Sequence, residues 1–525
     1  MRLLLIVVSL LVVAWKGVFM NSANANSTET FEFINALRAF PTSFDPMESD
    51  WSGNQDLARM IYLTPIELSA DDKLTSTLLE KYVFNPKTKE IEFVVRQGLK
   101  FSDGTPITAD DVAFAIARVA FTLDNFPIVS EIKGLSEWKI KKDALLSLPV
   151  GLVVDGHRVF LKLNKSPQHP LFRFLAPQFS VIPKSAVDLA TNKLKTNQPP
   201  TSGHYVIKEM RDPEVHYELR QLVASRAGAK MPNRIVMRYV TPQDFERKAL
   251  SKIDDRTVVM SSNLRYSPDL YVQMRNNSEF RYLQSTDIGI LVLNPKSEIF
   301  RDPLCRRIFA ETFRDHLHKS SLAQFGVEGS LFTKVLPGYV SENKLAQGSS
   351  ISEKERELCM ARFRSTPVTW FKRPWGSGET YHTVLEKSGS ALGIKQTSIE
   401  NHEGGALKAF AENKIDGMFL FTGFWATDTA GDLKMLFTPN LWYPGFLDNL
   451  THDKAIAKMI LNLEKETDSV KRKALFESLN AYIYNDATMS VFSHPKTFFM
   501  YAKKNQFIPP PVGMMEPAPW QLFQL

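Results

Sequence analysis

The sequence predicts an α/β fold, and three observations carry that reading. Helical and strand patterns alternate in the second half: a helix over Arg306–Ser320, another over Val470–Tyr484, and a strand over Met489–Phe492 directly after it. Short strand patterns dominate the first half, at Phe31–Leu37, Ile91–Val95, Val159–Leu163, Tyr205–Lys208 and Ile235–Tyr239. Between residues 91 and 119 a strand, a tight turn and a capped helix start follow one another without a break.

That central stretch is justified residue by residue. Ile91, Phe93 and Val95 alternate with Glu92 and Val94, which gives a strand with one strongly apolar face. Gly98 and Asp103-Gly104 are turn residues, suited to positive φ or to a side chain that folds back onto its own backbone. Pro106 lacks an amide proton and is expected to block further pairing. Thr108 with Asp111 resembles a capping box, with Asp where Glu or Gln is usual. In the helix that follows, Val112, Ala115 or Ile116, and Val119 share one face. Farther on, Asp155-Gly156 is expected to form a two-residue turn of type I′ joining Leu152–Val154 to Val159–Leu163.

Composition bounds the function. Residues 1–25 read as a cleaved secretory signal: Arg2, an apolar run over Leu3–Val13 broken only by Ser9, and the small-residue site Ala23-Asn24-Ala25. The run is short for a membrane-spanning helix, so a periplasmic location is expected. The remaining 500 residues suit about three domains, and 44% hydrophobic with 23% charged residues is ordinary for a globular protein. The formal charge is +7, or +5 without Arg2 and Lys16. Basic residues are scattered apart from Lys139-Ile140-Lys141-Lys142, which reads as a solvated face, so no nucleic-acid role is expected. Cys305 and Cys359 either pair in an oxidising compartment or remain buried thiols, and the sequence leaves both open.

The chain has no Gly-x-x-x-x-Gly-Lys-Ser/Thr, no Gly-x-Ser-x-Gly, no His-Glu-x-x-His and no Cys-x-x-Cys. His316 and His318 stand two apart on a helix and do not share a face. His402-Glu403-Gly404-Gly405 lacks a second histidine and reads as a loop. No catalytic residue, metal or cofactor is expected, and the chain reads as a binder rather than an enzyme.

The run from Val95 to Val112 resembles the signature of the periplasmic dipeptide/oligopeptide-binding proteins, family 5 of the solute-binding proteins that feed ABC transporters. Phe44-Asp45-Pro46, Phe172–Pro183, Gly203-His204-Tyr205 (where members usually have Gly-Pro-Tyr) and Phe300–Arg307 resemble further segments of that family in the same order. The resemblance implies a periplasmic binding protein type II fold, with two lobes, a hinge and a smaller inserted domain. Lobe I would take residues 26–70, 196–289 and 495–525, the inserted domain 71–195, and lobe II 290–494. It also implies a monomer that binds a peptide or other small solute and hands it to an inner-membrane ABC permease.

Candidate ligand contacts follow from the same resemblance. Within Trp425-Ala426-Thr427-Asp428, Asp428 stands where oligopeptide-binding members supply the carboxylate for the peptide's amino terminus. The competing reading is that Asp428 or Thr427 caps the helix running into Met435. Asp432 is an alternative anchor, and Trp425 either walls the cleft with its N–H or belongs to the core. Phe40, Phe44 and Tyr62 are expected on the opposite side of the cleft, and Arg373 at the ligand's carboxy terminus. A nickel chelate, haem, a sugar or a murein peptide would use the same fold, as would a sensory or scaffold protein.

Overall fold

In the computed structural model the chain is described over residues 30–35, 40–48, 52–68, 73–123, 126, 128–141, 143–167, 170–220, 231–240, 256–262, 280–284, 287–334, 336–347, 351–372, 377–400, 405–423, 429–437 and 454–501. The expected signal segment and the loop around His402 lie outside those residues. Sixteen strands build three sheets: β1 Thr30–Asn35, β2 Leu79–Asn85, β3 Glu90–Val95, β4 Leu152–Asp155, β5 Arg158–Lys162, β6 Tyr205–Arg211, β7 Glu214–Leu219, β8 Arg234–Tyr239, β9 Thr257–Ser262, β10 Phe280–Gln284, β11 Asp287–Leu293, β12 Val368–Phe371, β13 Gln396–Ile399, β14 Gly417–Gly423, β15 Met489–Ser493 and β16 Lys496–Tyr501. The main helices are α1 Ser52–Ile61, α2 Ala109–Thr122, α3 Pro303–His318, α4 Glu353–Ser365, α5 Ser377–Ala391, α6 Gly405–Ala411, α7 Thr429–Phe437, α8 Lys454–Lys465 and α9 Ser469–Asp486. No helix among the described residues is long and apolar enough to cross a membrane.

The first sheet has seven strands in the order β6-β7-β8-β1-β9-β16-β10, with β1 parallel to both β8 and β9. The second has four antiparallel strands in the order β2-β3-β5-β4. These two sheets share one apolar core, which α2 fills with Val112, Phe114, Ile116 and Val119. The third sheet has five strands in the order β13-β12-β14-β11-β15. Its interior strand β11 is buried on both faces: Ile288, Ile290 and Val292 enter one cluster with α7, α8 and α9, and Leu291 and Leu293 enter another with α3, α4 and α5. Helices on both faces explain why this strand reads as a continuous apolar run rather than an alternation.

The chain passes between the seven- and five-stranded sheets along neighbouring strands. β10 leads into β11 and β15 leads into β16, with Gln284 paired to Lys496 on one side and Gly289 to Ser493 on the other. Two short adjacent crossings of this kind are the geometry of a hinge.

The strand–turn–helix stretch forms as read. Gly98 and Gly104 have φ of +81° and +88°, and Thr108 and Asp111 close the capping box, the Thr108 amide donating to the Asp111 carboxylate at 2.9 Å. Pro106 does not end the pairing. It bridges Lys100, and the Ile107 amide donates to the Leu99 carbonyl at 2.9 Å, because only proline's own amide is missing and its neighbours still pair. The 152–162 hairpin turns one residue later than expected. Asp155 pairs with Arg158, so the two turn residues are Gly156 and His157. Gly156 has φ +60° and His157 is not among the residues of positive φ, which is a II′ turn rather than I′. Cys305 on α3 and Cys359 on α4 are disulfide-bonded, their Cα atoms 5.3 Å apart.

Candidate functional site

A cavity of about 350 Å³ lies between the four-stranded unit and the helices of the five-stranded unit, at the lower end of the volumes that hold small ligands. One wall comes from the segments 128–131 and 165–167 together with Pro170 and Arg173, the other from the start of α7 and from α8 and α9. Each wall has a local origin. The short 3₁₀ helix Pro170–Leu175 carries Arg173 inward between Phe172 and Phe174. Across from it, Ala430 and Gly431 in the first turn of α7 face the cavity. Ile128 on the first wall has φ +72° and ψ −48°, a conformation a β-branched residue adopts only under strain.

Charge is organised in pairs. Arg173 donates to Asp432 at 2.9 Å, and both side chains are nearly buried, 7% and 11% exposed. Asp432 sits in the first turn of α7, where the helix dipole also favours a carboxylate. Lys165 reaches Glu131 at 3.2 Å, and the Arg472 guanidinium lies 5.7 Å from the centre of the Phe476 ring. Leu461, Pro167, Pro170 and Ala430 supply apolar lining. A cavity with apolar walls and with Arg173, Asp432, Lys165 and Glu131 already ion-paired within the protein holds a guest by shape and a few polar contacts.

The expected site residues fall in different places. Asp428, Trp425 and Arg373 lie outside the described residues. Asp432 is engaged by Arg173, so a protein cation already matches its charge. Tyr62, expected on the cleft surface, is instead in the core: its hydroxyl donates to the Phe44 carbonyl at 2.9 Å. Burial above all, with the nearby Asp45 charge adding to it, pushes its phenol far above the ordinary range. Phe44 packs against the same core, and Phe40 stacks edge-on against Tyr239 at 5.7 Å.

Two arginines were not singled out from sequence. Arg173 is the lone charge in Leu171-Phe172-Arg173-Phe174-Leu175, and Arg118 is the lone charge in Phe114-Ala115-Ile116-Ala117-Arg118-Val119-Ala120. A cation inside an apolar run needs a buried partner, and that signal was available. Arg118 donates to both carboxylate oxygens of Asp45 at 2.8 and 2.7 Å, and to the side chain and carbonyl of Asn192 at 2.8 and 2.9 Å. The Asp-Pro motif at residues 45–46 therefore clamps the loop after β1 onto α2.

Among the described residues, Asp302, Cys305 and Cys359 approach one another as metal-ligand types, but the two sulfurs are bonded to each other. His382 Nε2 lies 2.9 Å from Ser398 Oγ and 3.1 Å from Glu386. Both partners meet the same ring nitrogen, whereas a relay needs nucleophile and carboxylate on opposite nitrogens.

Comparison with known proteins fits this architecture. Residues 73–310 match the bacterial extracellular solute-binding proteins, family 5, in that family's middle region. A binding protein of Brucella melitensis is 28% identical over 188 residues, which is 35% of this chain and only 28% of that protein's length. Among solved structures, the periplasmic binding protein AgaA from Agrobacterium tumefaciens R10, in complex with agropinic acid, superposes with a TM-score of 0.74 at 16% identity, covering 94% of this chain and 98% of that one. The periplasmic binding protein DppA from Helicobacter pylori, in complex with the peptide STSA, gives 0.73 at 14% identity, covering 94% and 97%. At such identities the structures speak to the fold. Residues 73–310 thus match the family 5 model, and the described chain has the two-lobed α/β fold of the periplasmic binding proteins it superposes on.

Proposed function

We propose, from a chain with a family 5 solute-binding region and that family's fold, an extracytoplasmic solute-binding protein of an ABC transporter that takes di- or oligopeptides and delivers them unaltered to an inner-membrane permease. In this reading residues 1–25 direct export to the periplasm. The seven-stranded sheet is the heart of lobe I, the four-stranded unit the inserted domain, and the five-stranded unit lobe II.

One observation carries the proposal: the wall of the cavity at Ala430-Gly431 begins two residues after Trp425-x-x-Asp428. A peptide's ammonium needs a carboxylate partner when it leaves water, and Asp428 is the group we assign to it, with Trp425 beside it as a wall. An extended peptide gains main-chain hydrogen bonds whatever its sequence, so affinity of about 8 kcal/mol, near micromolar, is the expected scale. Asp428→Ala should weaken peptide binding about tenfold or more, near 1.4 kcal/mol, with little change in melting temperature. Calorimetry with a panel of short peptides measures it, and unchanged affinity removes Asp428 from the site.

The likeness to a protein solved with agropinic acid favours a second reading, a small non-peptide solute held in the same fold. Native mass spectrometry of the purified chain separates the two. A ladder of peptide masses supports the peptide reading, and a single non-peptide mass replaces it.

A further inference from the structure

Residues 134–150 form an excursion from the four-stranded unit, anchored in its core through Trp138, Ala144 and Leu145 and not part of the cavity lining. It is tied at its base, where the Gly151 amide donates to the Lys133 carbonyl at 2.9 Å and the Lys133 amide to the Lys162 carbonyl at 3.0 Å. A Cβ placed on Gly134 would run into Val150 Cγ1, so the two ends of the excursion touch. Inside, Trp138 is buried and its indole N–H donates to the Ser147 carbonyl at 3.1 Å, while Ala144 and Leu145 are also buried. The excursion is thus a folded element.

It nevertheless leaves three large apolar side chains in water, which burial in the core does not account for. Ile140 is 85% exposed, Val150 74% and Leu146 61%. Of the eight large apolar side chains exposed among the described residues, these three and Val153 fall within residues 140–153. Residues 133–150 carry Lys133, Lys139, Lys141 and Lys142 against Glu137 and Asp143, and the most exposed isoleucine has lysines on both sides in sequence. A protein-binding patch is depleted of lysine at its apolar centre. A lipid surface asks for the opposite mixture, apolar side chains at the headgroup level beside lysines that meet phosphates.

We propose that this excursion is a contact site for an anionic bilayer surface, in which Ile140, Leu146 and Val150 insert among the headgroups while the exposed Lys133 and Lys141 lie against the phosphates. The contact would hold the protein in the plane where a membrane partner works, and it does not depend on which solute the cavity takes.

Vesicle flotation of the full chain tests it, with phosphatidylglycerol-containing vesicles set against pure phosphatidylcholine at about 150 mM salt, where long-range attraction is screened. The chain should float with the anionic vesicles and stay behind with the neutral ones. The variant Ile140→Ser/Leu146→Ser/Val150→Ser should lose about tenfold or more of that partitioning. Its melting temperature should not fall, since the three side chains are exposed. Lys141→Glu should weaken flotation independently. Absence of flotation by the native chain overturns the proposal, as does full retention by the triple serine variant, which would reduce the effect to net charge. Flotation only with vesicles that contain a reconstituted membrane protein would also overturn it, making the patch a protein interface.

Discussion

At the scale of single residues, a buried carboxylate and a buried guanidinium fix the loop that follows β1. Arg118 uses its N–H groups on Asp45 and Asn192, and neither member of the Arg118–Asp45 pair has appreciable access to water. Removing one partner leaves an uncompensated buried charge, a loss of about 3–5 kcal/mol. Arg118→Met and Asp45→Asn should each lower the unfolding midpoint in urea by that equivalent. The double variant Asp45→Leu/Arg118→Met should cost less than the two singles together, because no charge is then stranded. Additive losses would show that the two groups act separately. The Asp-Pro motif was legible in the sequence, but its partner was not, since 73 residues separate them and no local pattern links a loop aspartate to a helix arginine. Tyr62 failed for a related reason. Its place on a loop after the early strands suggested the side of the cleft, whereas burial is decided by the distant segments packed over it. At position 204 the histidine that replaces the family's proline is buried, its Nε2 3.2 Å from Thr77 Oγ1, a tertiary contact that composition does not reveal.

At the scale of elements, capping and periodicity were the readable part. Asp302 caps α3 by accepting from the Leu304 amide at 3.0 Å, with Pro303 at the first helical position, and α9 followed by β15 was visible as a helix and then a strand. Turn chemistry was less readable, because a one-residue shift in the 152–162 hairpin changes which φ must be positive and so changes the turn type. The disulfide could not be read at all, since pairing depends on the approach of two helices that the sequence alone does not set. That bond joins α3 to α4 across a separation of 54 residues. Constraint of the unfolded chain over such a loop is worth about 4 kcal/mol in the chain-entropy account. Cys305→Ser/Cys359→Ser should therefore lower stability by up to about 4 kcal/mol. Denaturation of the native chain with reductant should move towards the same midpoint, and identical curves with and without reductant would mean that the helices hold each other without it.

At the scale of the whole molecule, the two strand crossings and the Arg173–Asp432 pair belong to one question, how the two sides of the cavity are kept together. The crossings leave the five-stranded unit free to swing as a body, because each is only a short link between paired strands. The ion pair resists that swing, since its two halves sit on opposite walls of the cavity and are nearly dry when paired. Truncating one partner of a buried, hydrogen-bonded charge pair costs about 2 kcal/mol or more, which corresponds to about a 30-fold shift between paired and separated arrangements. Opening would let water reach the stranded charge, so the loss should appear as a population of open molecules rather than as unfolding. Arg173→Met and Asp432→Asn should each increase the radius of gyration in solution scattering and speed ligand release, with the unfolding midpoint nearly unchanged. The charge-exchanged variant Arg173→Asp/Asp432→Arg should recover part of the compact form, because the attraction survives exchange while the local packing does not. If scattering stays the same in both single variants, the pair is a local bond, and closure must rest on the apolar lining and on the guest itself.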